Sequence, residues 1–171
     1  MKKYLVFLFI AAVSIPAYGQ SPEQKIQELG IVLPPAGKPI ANYVKYVRVG
    51  NLIYLSGHGP QKTDGKYITG KLGNDLTIEE GYEAARLTGI NILATIKDAV
   101  GDLHKVKRII KVLGMVNSTG QFTDHPKVMN GFSDLMVTVF AEKGKHARSA
   151  VGLNSLPGGM CIEIEVILEV E

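Results

Sequence analysis

Disulfides cannot hold this chain together. It has a single cysteine in 171 residues, Cys161, and a lone thiol closes no intrachain bridge. Metal chelation has little to build on, because His58, His104, His125 and His146 are scattered and lack ligand spacing. The stretch "GKLGND" at 70–75 carries glycines without the pattern of a phosphate loop. No internal repeat and no low-complexity segment is visible.

Long apolar runs are confined to the start, "MKKYLVFLFIAAVSIPAYGQ". Lys2 and Lys3 precede an apolar run from Tyr4 to Ile15, and small residues follow at Ala17 and Gly19. That order predicts a signal peptide over 1–19, cleaved before Gln20. The run is too short for a comfortable permanent span. The expected mature protein is periplasmic or secreted, with no stable membrane anchor. The formal net charge is +3, and removing Lys2 and Lys3, with no acid in that segment, leaves +1. A chain so nearly neutral, with no basic and aromatic-rich patch, argues against nucleic acid as a partner and against ribonuclease activity.

The remaining chain, roughly 150 residues, suits one domain with a genuine core. A short helical pattern from Pro22 to Leu29 runs into a connector with Pro34, Pro35 and Pro39, so that 20–41 forms an N-terminal arm before a domain over 42–171. "YVKYVRVGNLIYLSGHGP" reads as two strands joined at Gly50-Asn51. A turn-rich stretch follows, with a short strand expected around Tyr67–Thr69. Thr77 and Glu80 form a capping box ahead of a helix whose apolar positions are Ile78, Tyr82, Ala85, Gly89, Ile92, Ile96 and Val100, stopping near Gly101. A Val/Ile-rich strand spans 106–118. A second helix has Pro126 in its first turn, an apolar stripe of Val128, Phe132, Leu135, Met136, Val139 and Phe140, and its expected end at Gly144. "RSAVGL" and "CIEIEVILEV" close the chain as strands. The order is α+β: a mostly antiparallel sheet covered by two helices.

The last strand alternates Ile162, Ile164, Val166, Leu168 and Val170 with Cys161, Glu163, Glu165, Ile167, Glu169 and Glu171. One face goes to the helices. The acid-bearing face is either solvated or shared with another subunit, some acids then pointing into a common cleft. Cys161 falls on the Glu163 face by this count and reads as a packed thiol rather than a nucleophile.

Arg148 begins a strand with only small and apolar residues after it, from Ser149 to Leu153. A guanidinium is not neutralised by burial, so it needs an acceptor. An ion pair with Glu163 or Glu165 is one answer, and a ligand carboxylate is the other.

"NLIYLSGHGP", "RSAVG" and "LPGGMCIEIE", in this order of elements, resemble the Rid family of reactive intermediate deaminases, also called YjgF-like. The likeness runs from about Asn42 to the C-terminus. It implies a chorismate-mutase-like protomer, a homotrimer with a barrel-like core, and small-molecule clefts between subunits. It also implies hydrolysis of 2-imino acids, such as 2-aminoacrylate and 2-iminopropanoate, to 2-keto acids and ammonia, without cofactor or metal. Arg148 matches the arginine that holds the substrate carboxylate, and Glu163 the glutamate that guides water. Tyr43, Ser56 and Gly57 match residues around the cleft, and Asn130 aligns with an asparagine of the second helix. Ala150 stands where the family often has cysteine, leaving its backbone to orient the nitrogen. His146 replaces a usual proline, and His58 a usual glutamine. The alternative is a non-catalytic trimer that binds a small carboxylate-bearing metabolite or acts as a chaperone.

Overall fold

The computed structural model describes residues 20–37, 39 and 41–171. The expected signal peptide lies outside the described residues.

Ser21 caps a short helix α1 (Pro22–Glu28) through a capping box with Gln24, and Ile26 carries this helix into the main core. Strands β1 (Tyr46–Val49) and β2 (Leu52–Leu55) pair antiparallel around Gly50-Asn51. The capping box of Thr77 and Glu80 starts helix α2 (Ile78–Val100), and Gly101 closes it. Strand β3 (Val106–Asn117), helix α3 (His125–Phe140), strand β4 (Ala147–Leu153) and strand β5 (Ile162–Val170) complete the chain.

The five strands form one sheet in the order β1-β2-β5-β3-β4. Three pairings are antiparallel, and β3 with β4 is parallel, joined across α3. Both long helices cover one face. There Val112, Val116, Ile162, Ile164, Val166 and Leu168 are all but fully buried against residues such as Ile92, Ile96, Phe132 and Met136. The helices approach closely because Gly131 lies against the carbonyl of Tyr82, where an added Cβ atom would sit 2.0 Å from that oxygen. This crossing turns α2 so that Gly81, Ala84 and Thr88 are buried, while Ile78 and Tyr82 are only partly covered.

Three local expectations need correction. Helix α3 ends at Phe140, not Gly144, because Ala141 leaves helical geometry at φ 52° and a 3-10 turn takes over Ala141–Gly144. Tyr67–Thr69 forms no strand; it makes isolated bridges, Gln61 to Tyr67 and Thr69 to Met160. Cys161 precedes β5 at a bend and is fully buried in the core rather than sharing the face of Glu163. Burial pushes its thiol up to about 11, which suppresses the nucleophilic thiolate.

Candidate functional site

Arg148 sits on β4 opposite Val112 of β3, which in turn faces Val166 of β5. Residues in register share a sheet face, so Arg148 points to the helix side, at the sheet edge beneath α3. Its Nη1 donates to Asn130 Oδ1 at 3.1 Å and to Ser133 Oγ at 2.9 Å, and its Nη2 donates to the Pro126 carbonyl at 3.3 Å. All three acceptors are neutral. Among the described residues no carboxylate forms a salt bridge with Arg148, so the alternative of a pair with Glu163 or Glu165 is left to a contact between subunits. The guanidinium is oriented but keeps its whole charge for something else.

The support for Arg148 extends to His146. Its Nδ1 lies 2.7 Å from the Gly144 carbonyl and its Nε2 3.0 Å from Ser133 Oγ. A carbonyl only accepts, so Nδ1 carries the proton and Nε2 accepts from the Ser133 hydroxyl. The chain therefore runs Arg148 to Ser133 to His146 to Gly144, each link donating to the next. Burial first, and the nearby Arg148 charge, lower the His146 pKa, against the carbonyl bond that raises it. Ser133 was not singled out from sequence, and His146 was noted only as standing in place of a usual proline. Signals existed: Ser133 is three residues after Asn130 on one helical face, and His146 lies two residues before Arg148.

Glu163 stands opposite Met115 of β3, which stands opposite Val151 of β4. It therefore points to the sheet face away from the helices. Within one chain, Arg148 and Glu163 lie on opposite faces. The Glu163 carboxylate rests on Gly57, where an added Cβ would lie 2.0 Å from Oε1, so any side chain at 57 would push the carboxylate out of this position. Burial, then the charge of Glu165, raise its pKa.

Glu163, Gly57 and Tyr43 line a cavity of about 940 Å³ that continues beneath the arm and along α2. Tyr43 is 46% exposed at this cavity. Ser56 is not on its lining; its hydroxyl donates to the Val44 carbonyl at 2.6 Å. Ala150 is paired with Gly114 and half-buried on the Arg148 side, and Asn130 also belongs with Arg148. The named residues thus fall into two groups: Arg148, Asn130 and Ala150 in one, Glu163, Gly57 and Tyr43 in the other. His58 is buried, with Nδ1 2.6 Å from the Ser56 carbonyl and Nε2 2.9 Å from Thr95 Oγ1. Desolvation lowers its pKa to about 4. It braces the turn at Gly57 and has no free nitrogen for a ligand. Among the described residues, no three His, Cys, Asp or Glu gather as a metal set.

A family model described as "YjgF/chorismate mutase-like, putative endoribonuclease" matches residues 23–164. The chain belongs to this YjgF-like family. Protein TCP17 of Trypanosoma cruzi is 43% identical over 145 residues, covering 84% of this chain and 91% of that protein. A 2-iminobutanoate/2-iminopropanoate deaminase of Dermatophagoides farinae is 29% identical over 142 residues, covering 82% and 95%. The crystal structure of Atu1372 from Agrobacterium tumefaciens, a protein of unknown function, superposes with a TM-score of 0.81 at 43% identity, covering 88% of this chain and 94% of that one. The α+β architecture expected from sequence is thereby the YjgF-like fold, and the family includes an imine deaminase.

Proposed function

We propose that this protein is a 2-imino acid deaminase of the YjgF-like family, working as a homotrimer whose clefts join two subunits. One observation carries the reading: Arg148 is an oriented cation without an acid partner, and Glu163 lies on the other sheet face, so a single chain cannot bring them to one substrate. A neighbouring copy can. The outer face suits such contact: the row Val47, Tyr54, Ile167, Lys111 and Ala147 crosses all five strands, and Val47 and Tyr54 are 51% and 42% exposed.

In this reading Arg148 of one subunit holds the substrate carboxylate, its planar fork fixing position and orientation. Glu163 of the next hydrogen-bonds a water. The water oxygen attacks the imine carbon, the C=N pair moves onto nitrogen, and Glu163 takes the water proton and returns it to nitrogen. The hydroxyl proton of the resulting carbinolamine then passes through Glu163 to the same nitrogen, and ammonia leaves as the C–N bond breaks and the C=O bond forms. The raised Glu163 pKa brings its proton affinity closer to that needed near neutral pH.

Co-expressed Arg148→Ala and Glu163→Gln chains test both parts. Each variant alone is expected to lose about a hundredfold or more of the activity on freshly generated 2-iminopropanoate. Randomly mixed trimers should regain about a quarter of wild-type activity, since three-quarters of them are mixed and each of those holds one intact cleft in three. No recovery overturns the shared cleft. Wild-type protein that binds 2-ketobutyrate yet never accelerates hydrolysis makes the trimer a binding module instead.

A further inference from the structure

The cavity behind Glu163, as a single chain forms it and before a neighbouring subunit closes the cleft, is larger than a three- or four-carbon acid needs. At about 940 Å³ it lies in the range that encloses a drug-sized ligand, roughly 300–1,000 Å³. Its walls are largely apolar, with Ile31, Leu33, Leu87, Ile90, Met160 and Tyr67 among them. Ile31, Leu33 and Ile90 also pack against the hydrophobic core, so these walls are anchored.

Four of its neutral polar side chains, His58, Gln61, Asn91 and Thr95, already have hydrogen-bond partners. Asn91 donates through its amide to the carbonyls of Gly59 and Gln61, at 3.2 and 3.1 Å. His58 and Thr95 satisfy each other at 2.9 Å. Three cations, Lys45, Lys62 and Arg86, also line the cavity without a salt-bridge partner among the described residues. They make a cationic side chain unwelcome there. An aliphatic or aromatic group is accepted without leaving a bonded polar group unpaired.

We propose that this cavity receives the substrate's side chain, and that the preferred substrates are aliphatic or aromatic 2-imino acids of five or more carbons. The proposal rests on the deaminase reading, which places the reacting carbon beside Glu163; the cavity then lies behind it for the side chain to fill. The reaction is unchanged: the imino acid and water give the 2-keto acid and ammonia.

The test compares imines generated in situ by an amino-acid oxidase from 2-aminobutyrate, leucine and phenylalanine. The expected kcat/KM is about tenfold or more higher for the two larger imines, the scale set by burying several extra methylenes. Equal values, or the reverse order, overturn the proposal. Leu87→Trp and, as a second variant, Ile90→Phe should bring the ratio of large to small towards one, whatever happens to absolute rates; a ratio unmoved in a folded variant overturns the assignment of the pocket. Calorimetry with the product acids separates the two levels. If no imine is hydrolysed, the deaminase reading falls, but tighter binding of 4-methyl-2-oxopentanoate than of 2-oxobutanoate still supports the pocket, and equal binding overturns it. Tightest binding of 2-oxoglutarate also overturns it, since Lys45, Lys62 and Arg86 would then be selecting a second carboxylate.

Discussion

The two ends of the proposed cleft are built by opposite means. Arg148 is held by added contacts: Asn130, Ser133 and the Pro126 carbonyl fix its guanidinium, and His146 fixes Ser133. Glu163 is accommodated by something missing, the side chain that Gly57 lacks. The first end suits ground-state binding of a constant charge, because neutral acceptors orient the cation without cancelling it. The second suits proton movement, because half-burial beside Glu165 raises the carboxylate's pKa. Evolving one end need not disturb the other, since the sheet stands between them in each subunit.

Deleting the cation breaks the comparison hardest. Arg148→Ala is expected to lower kcat/KM by about a thousandfold, losing charge-assisted bonds that both ground and transition states use; steady-state kinetics on 2-iminopropanoate checks this. Glu163→Gln should lower kcat by about a hundredfold while leaving 2-ketobutyrate affinity nearly intact, a split that calorimetry and kinetics read together. Equal losses in binding and rate would dissolve the division of labour.

Milder changes sharpen the contrast. Gly57→Ala forces Glu163 aside and should reduce kcat about tenfold with little effect on carboxylate affinity. Ser133→Ala removes one acceptor from Arg148 and the partner of His146, so KM should rise about three- to tenfold with kcat nearly unchanged. A variant that instead lowers kcat alone contradicts the assignment of Ser133 to the binding end.

The smallest functional effect concerns pH and the brace at His58. Its folded pKa is about 4 against an ordinary 6.5, so between those values the unfolded chain binds the extra proton. Stability therefore falls as pH drops from 6.5 towards 4. Its share of the loss is roughly 2 kcal/mol between pH 7.5 and 5. Urea titrations of wild type and His58→Gln at both pH values, at one protein concentration, isolate it; an equal loss in both proteins removes His58 as the cause.

Much of the fold was legible. The Thr77–Glu80 capping box marked the start of α2 where the structure has it, and the alternation of Ile162 to Val170 identified the strand that faces the helices. The end of α3 was not legible, because Gly144 looked like a glycine stop, whereas the break comes at Ala141 and Gly144 instead lies against the Met136 carbonyl, where an added Cβ would sit 2.2 Å from the oxygen. The neutral bracket of Arg148 was half visible: Asn130 was named, whereas Ser133 and His146 acquire meaning only when β4 lies beneath α3. The cavity was not visible, since the Pro-rich arm and α2 are brought together only by folding.

The sequence alone determined which side chains alternate within a strand, where each helix begins and which residues resemble those of the family, because these depend on local periodicity and capping. Only the tertiary structure decided that Arg148 and Glu163 lie on opposite faces. Parity within a strand is a local property, but parity between β4 and β5 depends on the register each keeps with β3, through Val112 for one and Met115 for the other. A slip of one residue in either pairing would put both groups on one face, and nothing in either strand's own residues counts that slip.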